Sequence, residues 1–109
     1  MDKTKIKKNL KIYVDRLKKT VDPEKIILFG SFASNKATKW SDIDILVVSD
    51  FKNIPEKKRD YILYDLSSGL IKNNDYQPYA ITPEEYSGAK SWTIISEIKK
   101  DGVVLYSKN

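Results

Sequence analysis

The chain contains neither cysteine nor histidine. The first absence excludes a disulfide framework and a thiolate metal site, and it fits a reducing compartment. The second removes the usual general base and the usual transition-metal ligand. Any metal would therefore be a hard cation on oxygen ligands. No apolar run approaches the roughly 20 residues that a membrane-crossing helix needs. The opening Met1-Asp2-Lys3-Thr4-Lys5 lacks the apolar stretch of a secretion signal. The expectation is a cytoplasmic protein with no membrane partner.

What is present fits one domain, residues 1–109. Apolar residues make up 40%, enough for a single core. Twenty basic residues against 15 acidic ones give a net charge of +5, which favours anionic partners such as nucleotides or nucleic acid. Part of that excess is a helical solvent face carrying Lys3, Lys5, Lys7, Lys8, Lys11, Lys18 and Lys19. A nucleic-acid-binding role is not excluded, but it rests on the charge alone, without a recognition motif or paired surface aromatics.

Ile6, Leu10, Tyr13 (or Val14) and Leu17 recur at helical spacing and predict an amphipathic helix over roughly 3–20. Asp22-Pro23 breaks it. Ile26-Ile27-Leu28-Phe29 is short and continuously apolar, as in a strand covered on both faces. Gly30-Ser31 ends it, and the small residues that follow are able to open a helix. Asp42 to Val48 reads as a second strand. Pro55 suits the first turn of a helix whose apolar face is Ile62, Leu63, Leu66 and Leu70. Asn73-Asn74 predicts a turn, and Tyr76 to Ile81 a third strand. Thr82 is the expected N-cap of a helix opening at Pro83. Trp92, Ile95 and Ile98 are expected on the inner face of the last helix, which stops near Gly102 before a short strand, Val103 to Tyr106. Helices and strands alternate throughout. The expected fold is α/β (α+β), with a mixed sheet of about three or four strands flanked by helices.

Three features converge between Gly30 and Ile45. A strand ends in Gly-Ser, where exposed N–H groups cradle phosphate oxygens and a glycine lets the ligand come close. Asp42 and Asp44, two apart on a strand, point to the same face. They interrupt an apolar run, where unpaired charge is costly, and they would repel one another without a cation between them. Neighbouring strands would then set phosphate and metal side by side, as phosphoryl-type transfer requires.

Gly30-Ser31 followed by Ser41-Asp42-Ile43-Asp44-Ile45 resembles the signature of the DNA polymerase β-like nucleotidyltransferase superfamily, and among its members the small minimal nucleotidyltransferases. The resemblance covers most of the chain. It implies a nucleotidyltransferase-type sheet, Mg²⁺ (or Mn²⁺) and ATP or another nucleoside triphosphate. It also implies transfer of a nucleoside monophosphate, AMP foremost, to a protein or other hydroxyl acceptor. Several members are antitoxins beside a small helical HEPN-type protein, so such a partner, a homodimer, or both are expected. On the same basis Gly30 and Ser31 would bind triphosphate, Asp42 and Asp44 would hold metal, and Ser41 would orient the first carboxylate. Lys36 is a further candidate nucleotide contact, as is Lys39, although loop lysines are ordinarily just solvated. Asn35 stands where the family often has glycine, and asparagine also tolerates left-handed backbone angles.

The family normally adds a third carboxylate on the next core strand, as metal ligand and base. In Asp75-Tyr76-Gln77-Pro78-Tyr79 the aligned position is Gln77, with Asp75 two residues earlier on the same face. A glutamine carbonyl ligates weakly and accepts no proton. The catalytic set is therefore Asp42, Asp44 and Asp75, with Gln77 as the alternative occupant of the third place. If the third place is lost, the competing expectation is a module that binds nucleotide or partner without chemistry. Glu84 and Glu85 read as helix-start charges, and Trp40 and Trp92 as packing residues, Trp40 also as a possible lid or interface anchor.

Overall fold

A computed structural model describes residues 3–70 and 75–108, with side chains from residue 5 onward. The elements run α1 (Lys3–Val21), β1 (Lys25–Phe29), β2 (Ile43–Val48), α2 (Glu56–Asp65), β3 (Tyr76–Ile81), α3 (Pro83–Ser87), α4 (Ile94–Asp101) and β4 (Val103–Ser107). The sheet has four strands in the order β3-β2-β1-β4. β1 is antiparallel to both β2 and β4, while β2 and β3 are parallel. This is the mixed, helix-flanked sheet expected from the sequence.

β1 is apolar from Ile26 to Phe29 because both of its faces are covered. Ile26 and Leu28 join the larger core with Leu10, Tyr13 and Leu17 of α1. Ile27 joins Leu46, Val48 and Ile98 of α4 on the other side. The α1 stripe selects Tyr13 over Val14, since Tyr13 is fully buried and Val14 only half-buried. The Tyr13 hydroxyl donates to the Leu63 carbonyl at 2.7 Å, tying α1 to α2. Its ring meets Tyr76 edge-on, with centroids 5.0 Å apart. Burial pushes the Tyr76 phenol up to about 12, and its hydroxyl has no hydrogen-bond partner.

β3 is an edge strand and carries Pro78. The carbonyls of Asp75 and Ile81 accept from Ile43 and Ser49, so the odd-numbered residues of this stretch turn their backbone groups towards β2. The even-numbered ones, Pro78 among them, face outward. Its missing N–H costs the ladder nothing.

Four local expectations are corrected. Residues 30–35 form hydrogen-bonded turns, not the start of a helix. α2 ends at Asp65, so Leu66 is its C-cap and Leu70, though buried, lies in the turn beyond; Pro55 is the N-cap and not inside the first turn. The single last helix is two, with the break at Gly88 and Thr93 capping α4 through its side chain. That break leaves Trp92 79% exposed instead of on an inner face, and Trp40 is equally exposed, so neither packs the core. Thr82 caps α3 as expected, in a capping box with Glu85. The predicted turn at Asn73-Asn74 lies outside the described residues.

Candidate nucleotide and metal site

The antiparallel register sets Phe29 opposite Asp44, and the parallel register sets Asp44 opposite Gln77. Laterally paired residues share a face, so these three form a row across β1, β2 and β3. Asp42 lies just before β2, two residues from Asp44. The row faces the α4 side of the sheet, since Asp44 alternates with Leu46 and Val48 of the smaller core.

At the end of β1 the chain turns through Gly30, whose φ is +76°. A Cβ there would strike the Asp44 Oδ2. Glycine is needed twice over: the backbone angle is left-handed, and the carboxylate occupies the space of a side chain. The turn beyond is one helical revolution. The Gly30 carbonyl accepts from Ala33 at 3.1 Å and Ser34 at 3.2 Å, and the Ser31 carbonyl accepts from Lys36 N at 2.9 Å. That last bond spans six residues around Asn35, whose φ is +61°, the pattern that ends a helix through a left-handed residue. The left-handed tolerance of Asn35 is thus in use.

Burial, and then the neighbouring Asp42 charge, raise the Asp44 pKa above the ordinary carboxyl value. A half-buried anion with a like charge beside it is stabilised by a cation. The donor chemistry suits Mg²⁺, which is commonly held by one or two carboxylates plus substrate phosphates and keeps several waters. Among the described residues no group of three or more acidic side chains is disposed to hold a metal. Asp75 does not join Asp42 and Asp44 in such a group. Its Oδ1 accepts from the Tyr64 hydroxyl at 3.2 Å and from Tyr76 N at 2.9 Å. The same Asp75 charge raises the Tyr64 phenol pKa. Gln77 is the residue brought directly beside Asp44.

Of the remaining candidates, Ser41 closes the turn before β2, its hydroxyl accepting from Thr38 N at 2.9 Å. Lys36 is exposed at the end of the Gly30 turn. The Lys39 ammonium lies 5.0 Å from the Trp40 ring centroid. One feature went unread in the sequence. Gly30 also lines a cleft of about 230 Å³ against α4, with Glu97 and Asp101 on the far wall. The signal was available, since two acids four apart flank two isoleucines four apart on one helix face.

Residues 7–105 match the family model described as Nucleotidyltransferase domain. Two proteins of Methanocaldococcus jannaschii, each named "Putative protein adenylyltransferase", are similar. One is 34% identical over 84 residues, 76% of this chain and 78% of its own length. The other is 34% identical over 88 residues, 77% of this chain and 58% of its own length. The fold is shared with a crystal structure described as a "putative nucleotidyltransferase" from Sulfolobus solfataricus. There the TM-score is 0.57 at 21% identity, over 99% of this chain and 91% of that one. It is also shared with a mutant of the toxin–antitoxin complex MntA-HpeT, at a TM-score of 0.61 and 19% identity, over 93% of this chain and 74% of that one. The motif, the strand register beneath it and the match along nearly the whole chain agree, and the chain belongs to the nucleotidyltransferase domain family.

Proposed function

We propose that this protein is a Mg²⁺-dependent nucleotidyltransferase that moves AMP from ATP to a hydroxyl of a protein partner. The observation that carries the reading is the Asp44 carboxylate lying over Gly30, with Asp42 two residues away. A phosphate-approaching turn and a carboxylate pair are thereby in contact. The relatives named as protein adenylyltransferases support AMP and a protein acceptor.

In this reading the backbone of the Gly30-Ser31 turn takes the phosphate oxygens, and Asp42 and Asp44 hold the divalent cation that accompanies the triphosphate. Lys36 lies close enough in sequence to the turn to add positive charge. When bound, the cation neutralises charge that develops on the phosphates. The acceptor oxygen attacks the α-phosphorus, forming an O–P bond as the bond to the bridging oxygen breaks and pyrophosphate leaves. The acceptor proton passes to a base, for which Asp75 is the nearest carboxylate along β3, or to solvent. A helical HEPN-type protein, a second copy of this chain, or both would complete the functional unit. The neighbour that is part of a toxin–antitoxin complex supports the first.

A second reading has its own observation. Gln77 stands where a third carboxylate would face Asp44, and Asp75 is engaged by Tyr64. That favours a module that binds nucleotide and partner but turns over slowly or not at all. One experiment separates the two. The protein is incubated with α-labelled ATP and Mg²⁺, with and without the protein encoded beside it. Label on a partner hydroxyl supports transfer. Metal-dependent ATP binding without label supports the module, and no binding at all overturns both.

A further inference from the structure

We propose that the cleft between the Gly30 turn and α4 holds the nucleobase, and that Glu97 and Asp101 select a base carrying an exocyclic amine. The inference rests on the nucleotide reading above and adds to it where the base lies and what recognises it.

Ile94, Glu97, Ile98 and Asp101 fall at helical spacing on one face of α4 and line one wall of the cleft. Phe29, Ala33 and Ser34 line the other, and Gly30 belongs both to this cleft and to the contact with Asp44. A ligand with phosphates on the Gly30 turn therefore reaches the cleft without leaving the surface. At about 230 Å³ the space is smaller than the roughly 300–1,000 Å³ of a whole-ligand pocket. It suits a flat fragment and not a complete nucleotide.

Charge then decides which end of the nucleotide enters. Asp101 ends α4, where the helix dipole is negative, and Glu97, one turn earlier, adds a second carboxylate to the same wall. Phosphate is repelled from such a wall, whereas N–H donors are attracted. The lysines of the same turn do not line the cleft, and Lys99 lies over the Tyr86 ring at 4.5 Å. The apolar surface of Phe29, Ala33, Ile94 and Ile98 favours a ring over a ribose. Adenine and cytosine present an amine where hypoxanthine and uracil present a carbonyl oxygen, and a carboxylate accepts from the first and repels the second.

The test compares ATP with ITP and CTP with UTP by calorimetry in Mg²⁺, with inorganic tripolyphosphate as the ligand that has no base. Wild type is expected to favour ATP over ITP, and CTP over UTP, by roughly tenfold or more, the scale of one hydrogen bond to a charged group. In the Glu97→Gln, Asp101→Asn double variant both ratios should collapse towards one while tripolyphosphate affinity is kept. Adenosine alone should move the Ile94 and Ala33 methyl resonances in a nuclear magnetic resonance titration, and tripolyphosphate should not. Equal affinity for all four nucleotides, ratios unchanged in the double variant, or adenosine that leaves those methyls unmoved overturns the proposal. Loss of tripolyphosphate binding in wild type overturns the phosphate–metal reading instead, and the adenosine shifts tell the two failures apart.

Discussion

Replacing Gly30 by alanine tests the contact on which the site rests. Two separate costs are built into this position. A non-glycine residue at a φ of +76° sits in the left-handed region, at about 1–2 kcal/mol. The new Cβ also meets the Asp44 Oδ2, so the carboxylate must leave its rotamer, at about 0.5–1.5 kcal/mol more. The single variant should therefore lose about 1.5–3.5 kcal/mol. Asp44→Ala removes the Oδ2 and Cγ and leaves only a Cβ at 3.5 Å, an ordinary contact distance. In that background Gly30→Ala should cost only the backbone part. The coupling between the two sites is then about 1 kcal/mol, within the range expected of touching residues. Urea denaturation of the wild type, both single variants and the double variant, with a common m-value, reads it as a difference in midpoints. An equal cost of Gly30→Ala in both backgrounds would show that the carboxylate does not lie on the glycine, and the site geometry would fall with it.

Three further outcomes are expected. Because Asp44 holds its proton more tightly folded than unfolded, metal-free stability is fullest below the unfolded carboxyl pKa and falls as pH rises through the higher folded value. Asp44→Asn should flatten that fall and melt above wild type at neutral pH in EDTA; a lower melting temperature there contradicts the repulsion. Gln77→Asp sets a carboxylate beside Asp44 and should raise single-turnover transfer, by up to the roughly 10²–10⁴-fold that general-base assistance contributes. Transfer by wild type that survives Asp75→Asn and is unmoved by Gln77→Asp would point to a base elsewhere. Tyr13→Phe strands the Leu63 carbonyl and should cost about 1–3 kcal/mol in denaturant titration, and no change would deny the buried bond.

The parts of the fold read correctly from sequence are those where one local rule is enough. β1 is apolar because both faces are buried, and Asp44 near the start of β2, with Asp42 just before the strand, stands where the chain emerges from the core. Gly30 was legible as a close approach, although not as an approach to Asp44, because only the strand register reveals that partner. The misreadings sit where a tertiary contact or one backbone angle overrides pattern. A helix after Gly30 was plausible from small side chains, but Asn35 closes it after one revolution. Trp92 fits an apolar stripe only if the helix is continuous, and Thr93 starts a new one just beyond it. The direction of the Asp75 carboxylate depends on a tyrosine of α2, which no spacing rule on β3 contains.

Pro78 has a consequence for how such sheets grow. Its missing donor faces outward, so a strand docking on β3 would find a gap in the ladder. The opposite edge, β4, contains no proline or charged residue, and Val103 and Val104 are 45% and 55% exposed. Strand addition is therefore one-sided. If two molecules meet through β4, both open edges are consumed and only blunted ones remain. Such an encounter ends at a pair and does not propagate into a fibre.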